Sequence, residues 1–116
     1  FFFNDTATTE IYTLSYTLSL HEHRLWTRAK ILAAARTCSD AELHRPFEMG
    51  VGTLFGTIVH LWGAEMVWAN VLEEGDPGFM IPPAAAFPSL AALEEAWKPL
   101  DARWTEQAKA FRELDP

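Results

Sequence analysis

The sequence predicts an all-α protein, an up-and-down helical bundle, and three observations carry that expectation. Apolar residues recur in steps of three and four along three long stretches. Arg45-Pro46 and Gly75-Asp76-Pro77-Gly78 separate those stretches with turn residues. Nothing from Glu22 onward repeats, alternates at period two as a half-buried strand would, or forms a Gly-rich phosphate loop.

The first twenty-one residues, Phe1 to His21, stand apart. The run Asn4-Asp5-Thr6-Ala7-Thr8-Thr9-Glu10-Ile11-Tyr12-Thr13 resembles the in-frame translation of a flow-cell oligonucleotide used in short-read DNA sequencing. Leu14 and Ser15 fill the place of a sample barcode, and Tyr16-Thr17-Leu18-Ser19-Leu20-His21 resembles the next adapter segment. Residues 1–21 are therefore expected to be adapter-derived, with no native structure, and residues 22–116 to form a partial bundle domain. The segment lacks the basic region and long apolar run of a secretory signal.

From Glu22 to Thr37 strong helix formers dominate, with Leu25, Ala29 and Leu32 at helical spacing, so a first helix is expected there. Ser39-Asp40-Ala41-Glu42 fits a Ser-x-x-Glu capping box and predicts a short helical turn ending near Leu43, before Pro46 enforces extended backbone. A second long helix is expected from Gly52 to Glu73, followed by a Pro- and Ala-rich loop, Met80 to Pro88. Ser89 can cap a third, in which Leu90, Leu93, Trp97, Leu100, Trp104, Ala108, Phe111 and Leu114 form one apolar seam. Pro99 lies inside that seam and predicts a kink, not a break. The chain ends just after an apolar position, as a four-helix bundle lacking its last helix would. The seam of Leu93, Trp97, Trp104 and Phe111 should then be partly uncovered and prone to self-association.

Charge and composition narrow the function. A net charge of −7 without any Lys/Arg run argues against nucleic-acid binding. Gly56, Thr57, His60 and Glu65 interrupt the longest apolar run, so no membrane span is expected. The single Cys38 rules out an intrachain disulfide framework and points to a reducing, cytoplasmic setting, with Cys38 a small core or boundary residue. No Ser-His-Asp, Cys-His or zinc-ribbon spacing is present.

His60 is the candidate site residue. Its neighbours three and four positions away, Gly56, Thr57, Gly63 and Ala64, are all small, whereas Leu54, Phe55, Ile58, Leu61, Trp62, Trp68 and Leu72 point elsewhere. Two readings stay open. Small residues can admit a neighbouring backbone, with His60 satisfied by one hydrogen bond, or the groove can leave room for a metal ion on a neutral imidazole. Glu65 lies five residues on, about 140° around the wheel, so it cannot share a metal with His60 on one straight face. Set among Leu54, Ile58, Leu61 and Leu72, it needs an arginine or another polar partner. His44 is expected in a solvated loop, and His23 adjoins the adapter-like segment. Trp62, Trp68 and Phe55 read as core or dimer contacts.

The stretch Gly50 to Trp68, with Thr57, Val59-His60 and Ala64-Glu65-Met66-Val67-Trp68, resembles the signature segment of the DinB family, damage-inducible DinB/YfiT-like four-helix bundles. Trp26 with Ile31-Leu32 resembles that family's first-helix pattern, although Thr27 and Arg28 replace its Ala and Asn. Phe87-Pro88-Ser89-Leu90-Ala91-Ala92-Leu93 and Trp97 resemble the opening of its third helix. The resemblance implies a divalent-metal site of three histidines, one at His60 and two from a His-x-x-x-His pair in a fourth helix beyond this chain. Thr57 and Glu65 would then stand beside that site, supporting its ligands or the fold around it. Zn, Ni, Fe or Mn would suit such a site, and low-molecular-weight thiols are the substrates of some superfamily members. The expectation is a fragment, of metagenomic type, of a metal-dependent thiol transferase or hydrolase, itself inactive. The alternative is a non-enzymatic helical dimerisation or interaction module in which His60 is structural. Nothing supports the chemistry of the lesion-bypass polymerase that shares the family's name.

Overall fold

A computed structural model describes the backbone of residues 6–114 and the side chains of residues 21–110. Within the described residues every regular element is helical: α1 (Thr6–Arg36), α2 (Asp40–Leu43), α3 (Leu54–Glu74) and α4 (Leu90–Leu114), with one 3-10 turn at Ala84–Ala86. The fold is an all-α helical bundle, as the periodicity predicts.

The helix ends follow local chemistry. Ser39 caps α2 through the full capping box, its hydroxyl accepting from the Glu42 N–H at 3.1 Å while the Glu42 carboxylate accepts from the Ser39 N–H at 3.0 Å. The third helix begins two residues later than predicted because Gly52 adopts φ 95° and Thr53 serves as the cap, accepting from the Gly56 N–H at 2.9 Å. It ends on Gly75, whose φ of 77° and N–H bond to the Val71 carbonyl make a left-handed stop. Ser89 accepts from the Ala92 N–H at 3.1 Å, and α4 then runs through Pro99 without a break. The exposed Pro99 places its ring on the outer side of the helix.

The first helix differs most from its predicted span, starting at Thr6 rather than Glu22. No Gly or Pro precedes Pro46, so a helix nucleated in the packed segment can propagate toward the N-terminus one hydrogen bond per residue. Of the adapter-like segment, the side chains of residues 1–20 and the backbone of residues 1–5 lie outside the described residues.

Packing places α4 in the middle, with α1 on one side and α3 on the other. The core joins Leu32 and Ala35 of α1, Leu43 of α2, Phe55, Ile58, Val59, Trp62 and Ala69 of α3, and Leu93, Trp97 and Leu100 of α4. Fully burying each large apolar side chain contributes roughly 1.5–3 kcal/mol. This arrangement overturns the expected open seam on the last helix: Leu93 and Trp97 are buried and Trp104 half-buried, while the Phe111 side chain lies outside the described residues. A helix flanked on two sides turns its apolar seam inward. The large exposed apolar residues lie elsewhere, including Trp26 of α1 and Trp68 and Leu72 of α3.

The small residues of α3 also find a different use. A Cβ added at Gly63 would clash with the Ile81 side chain, and one at Gly56 would lie 2.9 Å from Thr53 Oγ1 and 3.1 Å from Val51 Cγ1. Loop side chains, not a neighbouring helix backbone, occupy the space those glycines leave. Ile81 thereby fastens the Met80–Pro88 connection to α3, with Trp62 edge-on to Phe79 and Phe87.

Candidate functional site

His60 stands on the outer side of α3. It is exposed, as is Thr57 one turn before it, while Ala64 one turn after is half-buried. No described group makes a hydrogen bond to its ring. The other histidines are engaged elsewhere: His44 Nδ1 lies 3.0 Å from the Asp40 carbonyl and its ring packs against Phe55, and His23 stacks on Trp26. Cys38 is half-buried, its thiol donating to the Ala34 carbonyl. Among the described residues no three His, Cys, Asp or Glu side chains come together as a metal-ligand set.

Glu65 faces the opposite way, into the protein. At 5% exposure it is the buried charged residue of the core, and all three long helices converge on it. Arg24 Nη1 donates to Glu65 Oε1, Arg28 Nη1 donates to the same oxygen at 3.4 Å, and Trp97 Nε1 donates to it at 3.2 Å. Arg28 also grips Asp101 with two parallel bonds of 2.6 and 2.8 Å. Each guanidinium lies over an indole, Arg24 on Trp104 at 4.8 Å and Arg28 on Trp97 at 5.0 Å. Two cations and two carboxylates balance, which a buried charge requires.

The electrostatics follow from this burial. Removal from water pushes the Glu65 carboxyl above its ordinary value, opposed by Arg24, the Trp97 N–H and Arg28. The same desolvation lowers Arg24, against the pull of Glu65. A second ion cluster ties the lower halves of α3 and α4, where Arg103 donates to Glu73 at 2.8 Å and to Asn70 at 2.7 Å, and Asn70 in turn donates to the Pro77 carbonyl.

Sequence reasoning singled out Glu65 and its need for a polar partner, but not Arg24, Arg28, Trp97 or Asp101. A signal was present: Arg24 and Arg28 are one turn apart within the apolar first helix, as are Trp97 and Asp101 in the last. Polar groups on core-facing stripes must meet partners: the arginines a carboxylate, Asp101 a cation and the Trp97 N–H an acceptor.

The arrangement defines a class: a helical-bundle protein whose three long helices are joined by a buried Arg–Glu–Arg–Asp network, with an exposed imidazole on the outer side of α3. The model of the DinB superfamily matches residues 25–116, and the chain belongs to that superfamily. No curated protein and no solved structure matches it. Among the described residues no helix is long and apolar enough to cross a membrane.

Proposed function

We propose that this chain is part of a divalent-metal protein in which His60 is one ligand. The observation that carries the reading is the environment of that ring: an exposed imidazole, unbonded to any described group, on the α3 segment whose sequence carries the family resemblance. A histidine kept for packing would be buried and hydrogen-bonded. The described residues supply one imidazole and no second ligand beside it, so they fit one corner of a metal site. The rest of the ligand set would come from two histidines four residues apart in a further helix along the outer side of α3.

A divalent ion held there would lower the pKa of a bound thiol or water and so generate a nucleophile near neutral pH. His60 would orient the ion, and Thr57 one turn away, whose hydroxyl donates to the Thr53 carbonyl at 2.8 Å, would be left to accept a hydrogen bond from the ring or a bound molecule. Glu65 would act at a distance, keeping α3 fixed against α1 and α4. The reaction class is metal-dependent group transfer to or from a low-molecular-weight thiol, or hydrolysis, in a cytoplasmic setting.

A second reading is favoured by the exposure of Trp68 at 61% and Leu72 at 45% on the same helix. Those side chains suit a homodimer or another helical partner, with no metal involved.

The test is to recover the gene with both flanks by long-read sequencing and to titrate the encoded protein with Zn²⁺ and Ni²⁺ by calorimetry. One ion should bind per chain, His60→Ala should weaken it by at least about tenfold, and the present chain alone should bind only weakly. Equal affinity in the wild type and His60→Ala, with dimerisation in sedimentation, would replace the metal reading by the second one.

A further inference from the structure

The three methionines of the chain have different surroundings. Met49 and Met80, at 74% and 90% exposure, stand in loops, and among the described residues neither sulfur has a hydrogen-bond partner. Met66 of α3 is half-buried against the core, and its Sδ accepts from Arg103 Nη1 of α4 at 3.0 Å. Nη2 of the same guanidinium donates to Asn70 Oδ1 at 2.7 Å and to Glu73 Oε2 at 2.8 Å. Met66, Asn70 and Glu73 recur at helical spacing, so Arg103 lies along one stripe of α3. Asn70 carries the contact onward, its Nδ2 donating to the Pro77 carbonyl at 2.6 Å, just beyond the Gly75 stop.

A thioether is a weak acceptor, so Arg103 is held chiefly by Asn70 and Glu73. Oxidation alters that balance by setting a polar oxygen on an apolar sulfur. A hydrogen bond from Nη1 to such an oxygen needs about 2.9 Å between the two atoms. The oxygen stands a covalent bond out from the sulfur, so it enters the present 3.0 Å contact only if sulfur and guanidinium move apart. Turned the other way, it would face the apolar cluster against which Met66 packs, where it has no donor.

We propose that Met66 is an oxidation site whose sulfoxide draws Arg103 away from Asn70 and so loosens the Pro77 turn at the end of α3. The oxidant is a peroxide. The sulfur lone pair attacks one peroxide oxygen, the O–O bond breaks as the S–O bond forms, and the second oxygen leaves as water with both protons. Sulfur loses two electrons and the peroxide gains them. Of the two bonds at Nη2, the one to neutral Asn70 yields, because the charge-assisted bond to Glu73 is the stronger.

The full chain tests this with dilute hydrogen peroxide, peptide mass spectrometry to place each added oxygen, and amide hydrogen exchange. Met49 and Met80 should oxidise first, with exchange at residues 75–79 unchanged. Once Met66 is oxidised, exchange there should rise about fivefold or more, as the loss of one hydrogen bond implies. A variant carrying Met49→Leu, Met80→Leu and Cys38→Ser keeps Met66 as its one sulfur atom and should respond in full, whereas Met66→Leu should not respond. A Met66 that stays reduced while Met49 and Met80 are fully oxidised would overturn the proposal, as would an oxidised Met66 with unchanged exchange at residues 75–79. Both of those results come from the wild type, so they decide even if a variant fails to fold.

Discussion

Arg28 of α1 holds Asp101 of α4 by two parallel hydrogen bonds while its Nη1 also reaches Glu65 of α3, so a single guanidinium touches two carboxylates on two helices. Planar, delocalised and always charged, arginine can make this fork where lysine cannot.

The first prediction concerns that fork. Arg28→Met should destabilise the chain by about 3 kcal/mol, since it leaves buried carboxylate charge short of a partner. Arg28→Lys should recover only part of the loss. Urea unfolding of both variants with Asp101→Asn and the double variants would measure the Arg28–Asp101 coupling, expected at about 1–3 kcal/mol. A cycle that closes to zero would show the contact to be energetically idle.

The pH profile should have two limbs of opposite sign. Glu65 lies among Arg24 and Arg28 from α1 and Asp101 from α4, with burial raising its pKa above the ordinary 4.5. The folded state therefore keeps its proton longer than the unfolded state, and stability falls as pH rises from about 4.5 through the raised value. Glu42 and Glu73 are lowered, by Ser39 and by Arg103 respectively, so their contribution is present above 4.5 and is lost as pH falls through their lowered values. Chemical denaturation in steps of pH should show the upper limb in wild type and its disappearance in Glu65→Gln.

Gly63 should not tolerate a side chain. Gly63→Ala sets a methyl group against Ile81, and overpacking of that kind costs typically about 1–3 kcal/mol. Ile81→Ala should restore part of the loss by opening the space. If the single variant unfolds at the same denaturant concentration as wild type, the loop does not seat on α3 as described.

Removing a cap should cost less and act locally. Thr53→Ala takes the hydroxyl that accepts from the Gly56 N–H, a loss of about 1 kcal/mol. By contrast His60→Ala, at an exposed and unbonded position, should change stability by no more than about 0.5 kcal/mol. A much larger effect at His60, measured by thermal unfolding, would mean that the ring is packed in solution.

The amino-acid sequence by itself determined what is local. The Ser39–Glu42 capping box, the Ser89 cap, the Gly75 stop and the apolar seam through Leu93, Trp97 and Leu100 are set by neighbours within a few residues, and each was legible before any contact was known. The superfamily was legible for the same reason, because the Val59-His60 and Ala64-Glu65 pattern lies on one helix. The tertiary structure alone decided which helix is central. With α4 between α1 and α3, Trp97 became core, Trp68 was left outside, and Arg24, Arg28 and Asp101 were brought to Glu65 across separations of 36 residues or more. Helical periodicity tells which residues share a face but not which faces meet. Meeting is settled by the total apolar area that a packing buries and by whether its buried charges find partners, and both are properties of the whole chain.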